Sequence, residues 1–186
     1  MILLIIYIVE DTLYCSYRGK LISVVLKSCI LKGFIINKEV FMHEFSVMLK
    51  KEKIKNKLFG DNITFVDNGY FSVGDLFFIE NIFLDMGFIK VDFLNIRELL
   101  PEAKATYIEI NNSYLVLYLD KTLYLDLSYF NDIPKVLGLF ISYFDNDIAL
   151  FGVNKCIPKV YINNVNIYYI ENYKDYITQS LLKVKK

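Results

Sequence analysis

The chain has 186 residues, 55% of them hydrophobic, with 15 Tyr and 15 Phe, and its 21 basic residues are balanced by 21 acidic ones. So large an apolar load excludes disorder over most of the length, and the length fits one compact domain or two small lobes. The charge balance gives no electrostatic ground for nucleic-acid binding. "MILLIIYIV" opens the sequence. It has no basic leader and no small-residue cleavage site, and it falls short of the roughly 18 apolar residues a membrane span needs. It predicts a central strand over 2–9, buried on both faces, in a cytoplasmic protein.

Glu10-Asp11 then reads as a turn, "TLYCSYR" (12–18) as the hairpin partner, Gly19-Lys20 as a second turn and "LISVVLKSCIL" (21–31) as a third strand. After Gly33, Asn37 is a helix cap, and Phe41, Phe45, Met48 and Leu49 recur at helical spacing, which predicts a helix over 39–51. "NITFVD" (62–67) is a strand. Ser72 caps a second helix carrying Leu76, Ile79, Phe83 and Met86 on one face, with Gly87 just past its end. "IKVDFLN" (89–95) is a strand. Residues 101–105 connect to strands at 106–111, 114–120 and 122–127, a helix over 132–144 with Pro134 in its first turn, and a strand at 148–152. A hairpin around Asn163-Asn164 (159–171) and a short helix complete the pattern. The order β–β–β–α–β thus occurs twice, and the expected division is 1–101 and 102–186, two lobes packed directly on each other.

Side chains with chemical potential are few. Cys15, Cys29 and Cys156 are dispersed and odd in number, and read as small buried hydrophobes in a reducing compartment, with a disulfide between two of them as the alternative. His43 is the only histidine, so neither a zinc site nor a Cys–His pair has support, and it is expected half-buried on the first helix. Ser72 and Ser113 lack a nucleophile-elbow context, and "GYFSVG" (69–74) has no lysine for a P-loop. "KKEKIKNK" (50–57) is read as a solvated helix end, the alternative being an acidic partner or an anionic membrane. Tyrosines crowd the second half. A strand in 159–171 with Tyr161, Tyr168 and Tyr169 is the candidate partner-binding edge.

Three stretches carry a family resemblance. "LKGFIINKEVF" (31–41) resembles the segment that closes the third strand and starts a helix in the MreB, FtsA and PilM proteins. "SVGDLFFIENIFLDMGFIKVDFLNIRELL" (72–100) resembles their helix, glycine turn, strand and short helix. "TYIEINNSYLVLYL" (106–119) resembles the hairpin that holds phosphate in the second lobe. The resemblance, spanning residues 2–152, is to the actin and heat-shock-chaperone ATPase superfamily. It implies an α/β architecture of two small ribonuclease-H-like lobes with mixed sheets, without the large inserted subdomains of full-length members.

The departures from that family concern its nucleotide elements. The first phosphate hairpin, Asp-x-Gly-[Ser/Thr] in the family, is here Val9-Glu10-Asp11-Thr12. A phosphate cradle needs backbone N–H groups open to close approach, and two carboxylates at the tip repel the anion. The second, Asp-x-Gly-Gly, is here Glu109-Ile110-Asn111-Asn112. Asparagine keeps a tight turn, but its side chain fills phosphate space. The Gly-Gly pair of the adenosine pocket is reduced to Gly152 in "LFGVN". Asp11, Glu109 and Asp126 stand near strand ends. They are read as turn and surface acids, the alternative from the resemblance being magnesium held through water.

The expectation is therefore a non-catalytic actin-like scaffold or adaptor in a membrane-associated or cytoskeletal assembly, a pseudo-ATPase with no cofactor, metal or small-molecule substrate. Its partner is a protein or a second copy, and any peripheral membrane contact runs through that partner. The alternative is a nucleotide-binding filament protein with divergent phosphate loops.

Overall fold

The computed structural model describes residues 4–54, 62–99, 106–110, 114–118, 122–126, 132, 135, 138, 148–151 and 167–169. They fall into two compact units, one holding residues 4–54 and 62–99 and the other the described residues from 106 onward.

The first unit is built around β1 (Leu4–Val9), whose six residues are all buried. β1 pairs antiparallel with β2 (Thr12–Tyr17), which pairs antiparallel with β3 (Lys20–Val25). On its other side β1 pairs parallel with β6 (Asn62–Asp67), and β6 with β7 (Lys90–Asn95). The sheet order is β3-β2-β1-β6-β7. Side chains alternate across a strand, so Leu4, Ile6 and Ile8 join Leu13, Cys15, Ile63, Phe65 and Val91 in one core cluster. Ile5, Tyr7 and Val9 lie on the opposite face and are buried as well, so the expectation of a strand buried on both faces holds.

The helices fit their sequence signals. α1 runs Lys38–Lys51, and Asn37 Oδ1 accepts from Val40 N at 3.1 Å. α2 runs Val73–Asp85, with a full capping box between Ser72 and Asp75. Gly87, at φ 93°, ends α2 in a left-handed residue, and Gly87 N and Phe88 N donate to Leu84 O and Phe83 O. Phe83 holds the layer together. Its ring lies 6.1 Å from Phe41 and 5.9 Å from Phe45, both on α1, and 6.3 Å from Phe65 on β6. A short 3₁₀ turn, Ile96–Leu99, follows β7.

Several expectations need correction. The third strand does not run over 21–31. It ends at Val25, and two short strands, β4 (Ile30–Leu31) and β5 (Phe34–Ile35), form a separate hairpin. The cause is tertiary: Leu26 N donates to Asp11 O at 2.7 Å, and Leu26 O accepts from Cys29 N and Ile30 N. The β2–β3 turn is Arg18-Gly19, both at positive φ, rather than Gly19-Lys20. His43 is exposed, not half-buried. Cys15 and Cys29 are free and buried, while Cys156 lies outside the described residues.

The second unit has the same plan. β8 (Thr106–Ile110), β9 (Tyr114–Tyr118) and β10 (Thr122–Asp126) form an antiparallel meander, and β11 (Ile148–Phe151) and β12 (Ile167–Tyr169) add in parallel to give β10-β9-β8-β11-β12. Of the helix expected over 132–144, Lys135 N donates to Asp132 Oδ1 at 3.0 Å, the bond of an N-cap, and most of the rest lies outside the described residues. So do Asn163-Asn164 and the final helix. Among the described residues, no helix is long and apolar enough to cross a membrane.

Candidate functional site

β1 and β6 run parallel, so their carboxyl ends lie on the same side of the sheet, and the buried Asn68 follows β6 there. β1 turns into β2 through Glu10-Asp11, with Val9 paired to Thr12. Glu10 takes φ 56°, a left-handed backbone usually left to glycine. The turn keeps its tightness without a glycine because its carbonyls are held elsewhere. Asp11 O accepts from Leu26 N, and Glu10 O accepts from Gly33 N, each at 2.7 Å. Gly33 itself sits at φ 86° in the β4–β5 turn, so one hairpin tip is pinned by the next. Thr12 Oγ1 donates to Asp11 Oδ1 at 3.1 Å, and Lys27 Nζ stands 4.0 Å from Asp11 Oδ2. Burial, and after it the Asp11 charge, push the Tyr14 hydroxyl up from its ordinary pKa.

At the end of β6, Asp67 Oδ1 accepts from Gly69 N at 2.7 Å. Burial raises the Asp67 carboxyl above the ordinary carboxylate range, while the Gly69 bond pulls it down. Asn68 is fully buried. Its Nδ2 donates to Ile8 O at 3.3 Å and to the Tyr70 hydroxyl at 2.9 Å, tying β6 to β1. Among the described residues, Asn68 Oδ1 is a buried side-chain oxygen without a hydrogen bond. Neither Asp67 nor Asn68 stood out in the sequence; the Asp-Asn-Gly run after a strand marks a turn, and only the β1 neighbour gives it further meaning.

In the second unit Glu109 is fully buried on β8, between Val116 of β9 and Phe151 of β11. It is not a surface acid, which corrects that reading. A central strand buried on both sides leaves no alternation from which a face can be read. Asp126 pairs with Tyr114, whose ring stacks on Tyr124 at 5.1 Å. Among the described residues, no three His, Cys, Asp or Glu side chains gather as a metal site requires.

No protein-family model and no curated protein matches this sequence. Solved structures do. MreB5 of Spiroplasma citri bound to AMPPNP aligns with a TM-score of 0.55 at 9% identity, over 76% of this chain and 57% of that one. The cytoplasmic domain of EpsL, an inner membrane component of the type II secretion system of Vibrio cholerae, aligns at 0.54 and 8% identity, over 100% of this chain and 96% of that one. AlfA from B. subtilis plasmid pLS32, in its filament structure, aligns at 0.52 and 9% identity over 100% of both.

This chain has an actin-like fold. The actin-like chain spans little more than half of MreB5, at 57% of its length. Of the turns that the resemblance places at phosphate, the first is the β1–β2 tip, with Glu10 and Asp11 at its apex and Asp11 at the position of the family's glycine. The second lies between β8 and β9, whose last described pair is Ile110 with Leu115. Asn111, Asn112 and Gly152 lie outside the described residues, as does Tyr161. Tyr168 and Tyr169 fall on β12, at the end of the actin-like second sheet, paired to Ala149 and Leu150.

Proposed function

We propose that this actin-like chain is a non-catalytic scaffold or adaptor that works by holding a protein, in a membrane-associated or cytoskeletal assembly. The observation that carries this reading is the β1–β2 tip. It presents Glu10 and Asp11, and its carbonyls are occupied by Leu26 N and Gly33 N. Two carboxylates at that turn oppose a triphosphate. The cytoplasmic domain of a secretion-system membrane component and a filament protein share the fold, which supports a role in assembly. β12, which carries Tyr168 and Tyr169, is the last described strand of its sheet, and a partner strand would pair there through its backbone.

A second reading, a nucleotide-binding filament protein, is favoured by one observation: MreB5, which shares the fold, was solved bound to AMPPNP. Thermal unfolding with and without magnesium and ATP or GTP separates the two. A nucleotide at 100 times its Kd adds about 2.7 kcal/mol of stability. The adaptor reading expects no shift with either nucleotide. A saturable, magnesium-dependent rise in Tm would replace it with the second.

A further inference from the structure

Asn68 and Gly69 form the one Asn-Gly pair in the sequence. Such a pair carries a reaction of its own. A glycine has no side chain to crowd its nitrogen, and its backbone is free to bring that nitrogen onto the preceding carboxamide. Gly69 N then attacks Asn68 Cγ. The N–Cγ bond forms, the Cγ–Nδ2 bond breaks, and Nδ2 takes up the Gly69 proton and leaves as ammonia. Water opens the resulting succinimide at either carbonyl, giving aspartate or isoaspartate at position 68. Water is the one co-reactant the sequence of steps needs.

The folded first unit withholds each requirement of that reaction. The nucleophile is occupied, because Gly69 N donates to Asp67 Oδ1 at 2.7 Å. The electrophile is anchored. Asn68 is fully buried, and its Nδ2 donates to Ile8 O of β1 at 3.3 Å and to the Tyr70 hydroxyl at 2.9 Å. The transition state is unsupported. Attack on Cγ drives negative charge onto Oδ1, and among the described residues no donor reaches that buried oxygen. A developing oxyanion is stabilised by donors already in place, so their lack raises the barrier.

The backbone that carries the pair is also fixed. Gly69 is held at φ 77°. The rings of Tyr70 and Phe71 lie 5.5 and 5.3 Å from Phe34 of β5, and Phe71 lies 5.8 Å from Phe65 of β6. Ser72 is locked in the capping box of α2.

We propose that Asn68-Gly69 is a deamidation site that the fold keeps closed, so that the first unit records its own opening as a covalent change. The side-chain clamp runs from the end of β6 to Ile8 on β1, so separating those two strands releases it. The change is then one-way. A carboxylate in place of the carboxamide sets an oxygen against Ile8 O with no proton to donate, and leaves an unpaired charge in a buried position beside Asp67. Isoaspartate adds a backbone atom between β6 and α2. This behaviour belongs to the first unit whatever the chain binds.

The test is peptide mapping by mass spectrometry of the full chain, incubated at pH 8 in its folded state and in guanidinium chloride, following the conversion of amide to acid at position 68. When opening is fast relative to the chemistry, the folded rate is the denatured rate multiplied by the open fraction. The expected result is conversion in denaturant and at least tenfold slower conversion in the folded chain. An Asn68→Asp variant should shift the folding equilibrium at least a hundredfold toward the unfolded chain. A folded chain that converts as fast as the denatured one overturns the proposal, as does a denatured chain that does not convert. An Asn68→Asp chain as stable as the parent also overturns it, because the change would then leave no lasting mark on the fold.

Discussion

Asp67 shows how one residue in this fold can register pH. Its carboxyl is raised in the folded chain, chiefly by burial, so between the ordinary carboxylate pKa and the folded one the native state holds more protons than the unfolded state. Stability from this group is therefore greatest in acid and falls as pH rises through that window. Asp67→Asn keeps an oxygen to accept from Gly69 N and removes the charge. The variant should be more stable than the parent at pH 7, with the gap closing as pH drops below the ordinary carboxylate range. Urea midpoints at a series of pH values check this, and a gap that widens in acid would show that the carboxylate is stabilised rather than strained. The residue itself was visible as the end of "NITFVD". Its burial was not, because that depends on the neighbouring strands of the sheet, where Asp67 pairs with Asn95 of β7.

At the scale of elements, the helices were legible and the third strand was not. Asn37, Ser72 and Gly87 each act through local chemistry, a side-chain oxygen on an exposed N–H or a left-handed backbone, and local chemistry is written in sequence. "LISVVLKSCIL" contains no glycine or proline, yet the chain turns at Leu26 because its N–H is taken by Asp11, a residue of another turn. Packing between elements converges on Phe83, fully buried among Phe41, Phe45, Phe65 and Phe88. Phe83→Ala removes a ring from both helices and the sheet at once, and should cost about 3–5 kcal/mol in urea unfolding at constant m. A loss below 1 kcal/mol would mean that α1 and α2 hold the sheet independently.

For the whole molecule, the sequence announced a doubled β–β–β–α–β order, and the two sheets share one strand order, although no residue-level repeat links them. What could not be read was which acid is inside: Glu109 and Asp11 look alike in sequence, and one is fully buried while the other caps a half-exposed tip. Global opening has its own reporter. Cys15 lies in the sheet interior, where burial first and Glu52 second push its thiol up to about 12. Burial raises Cys29 as well. At pH 8 only about one Cys15 in ten thousand is thiolate even if reagent could reach it. In a Cys156→Ser chain, neither thiol should react with a disulfide reagent on the mixing timescale, and both should react in urea. Prompt labelling of one equivalent in the native chain would show that the first sheet opens locally.

The placement of β1 between β2 and β6 also governs how the chain comes off the ribosome. The β2 side of β1 can zip at once, since Val9 meets Thr12 across a two-residue turn. The other side waits for Ile63 to Phe65, which at about 5–20 residues per second arrive several seconds later. Throughout that interval a nascent strand of six apolar or aromatic residues has one open rim at which another chain could pair.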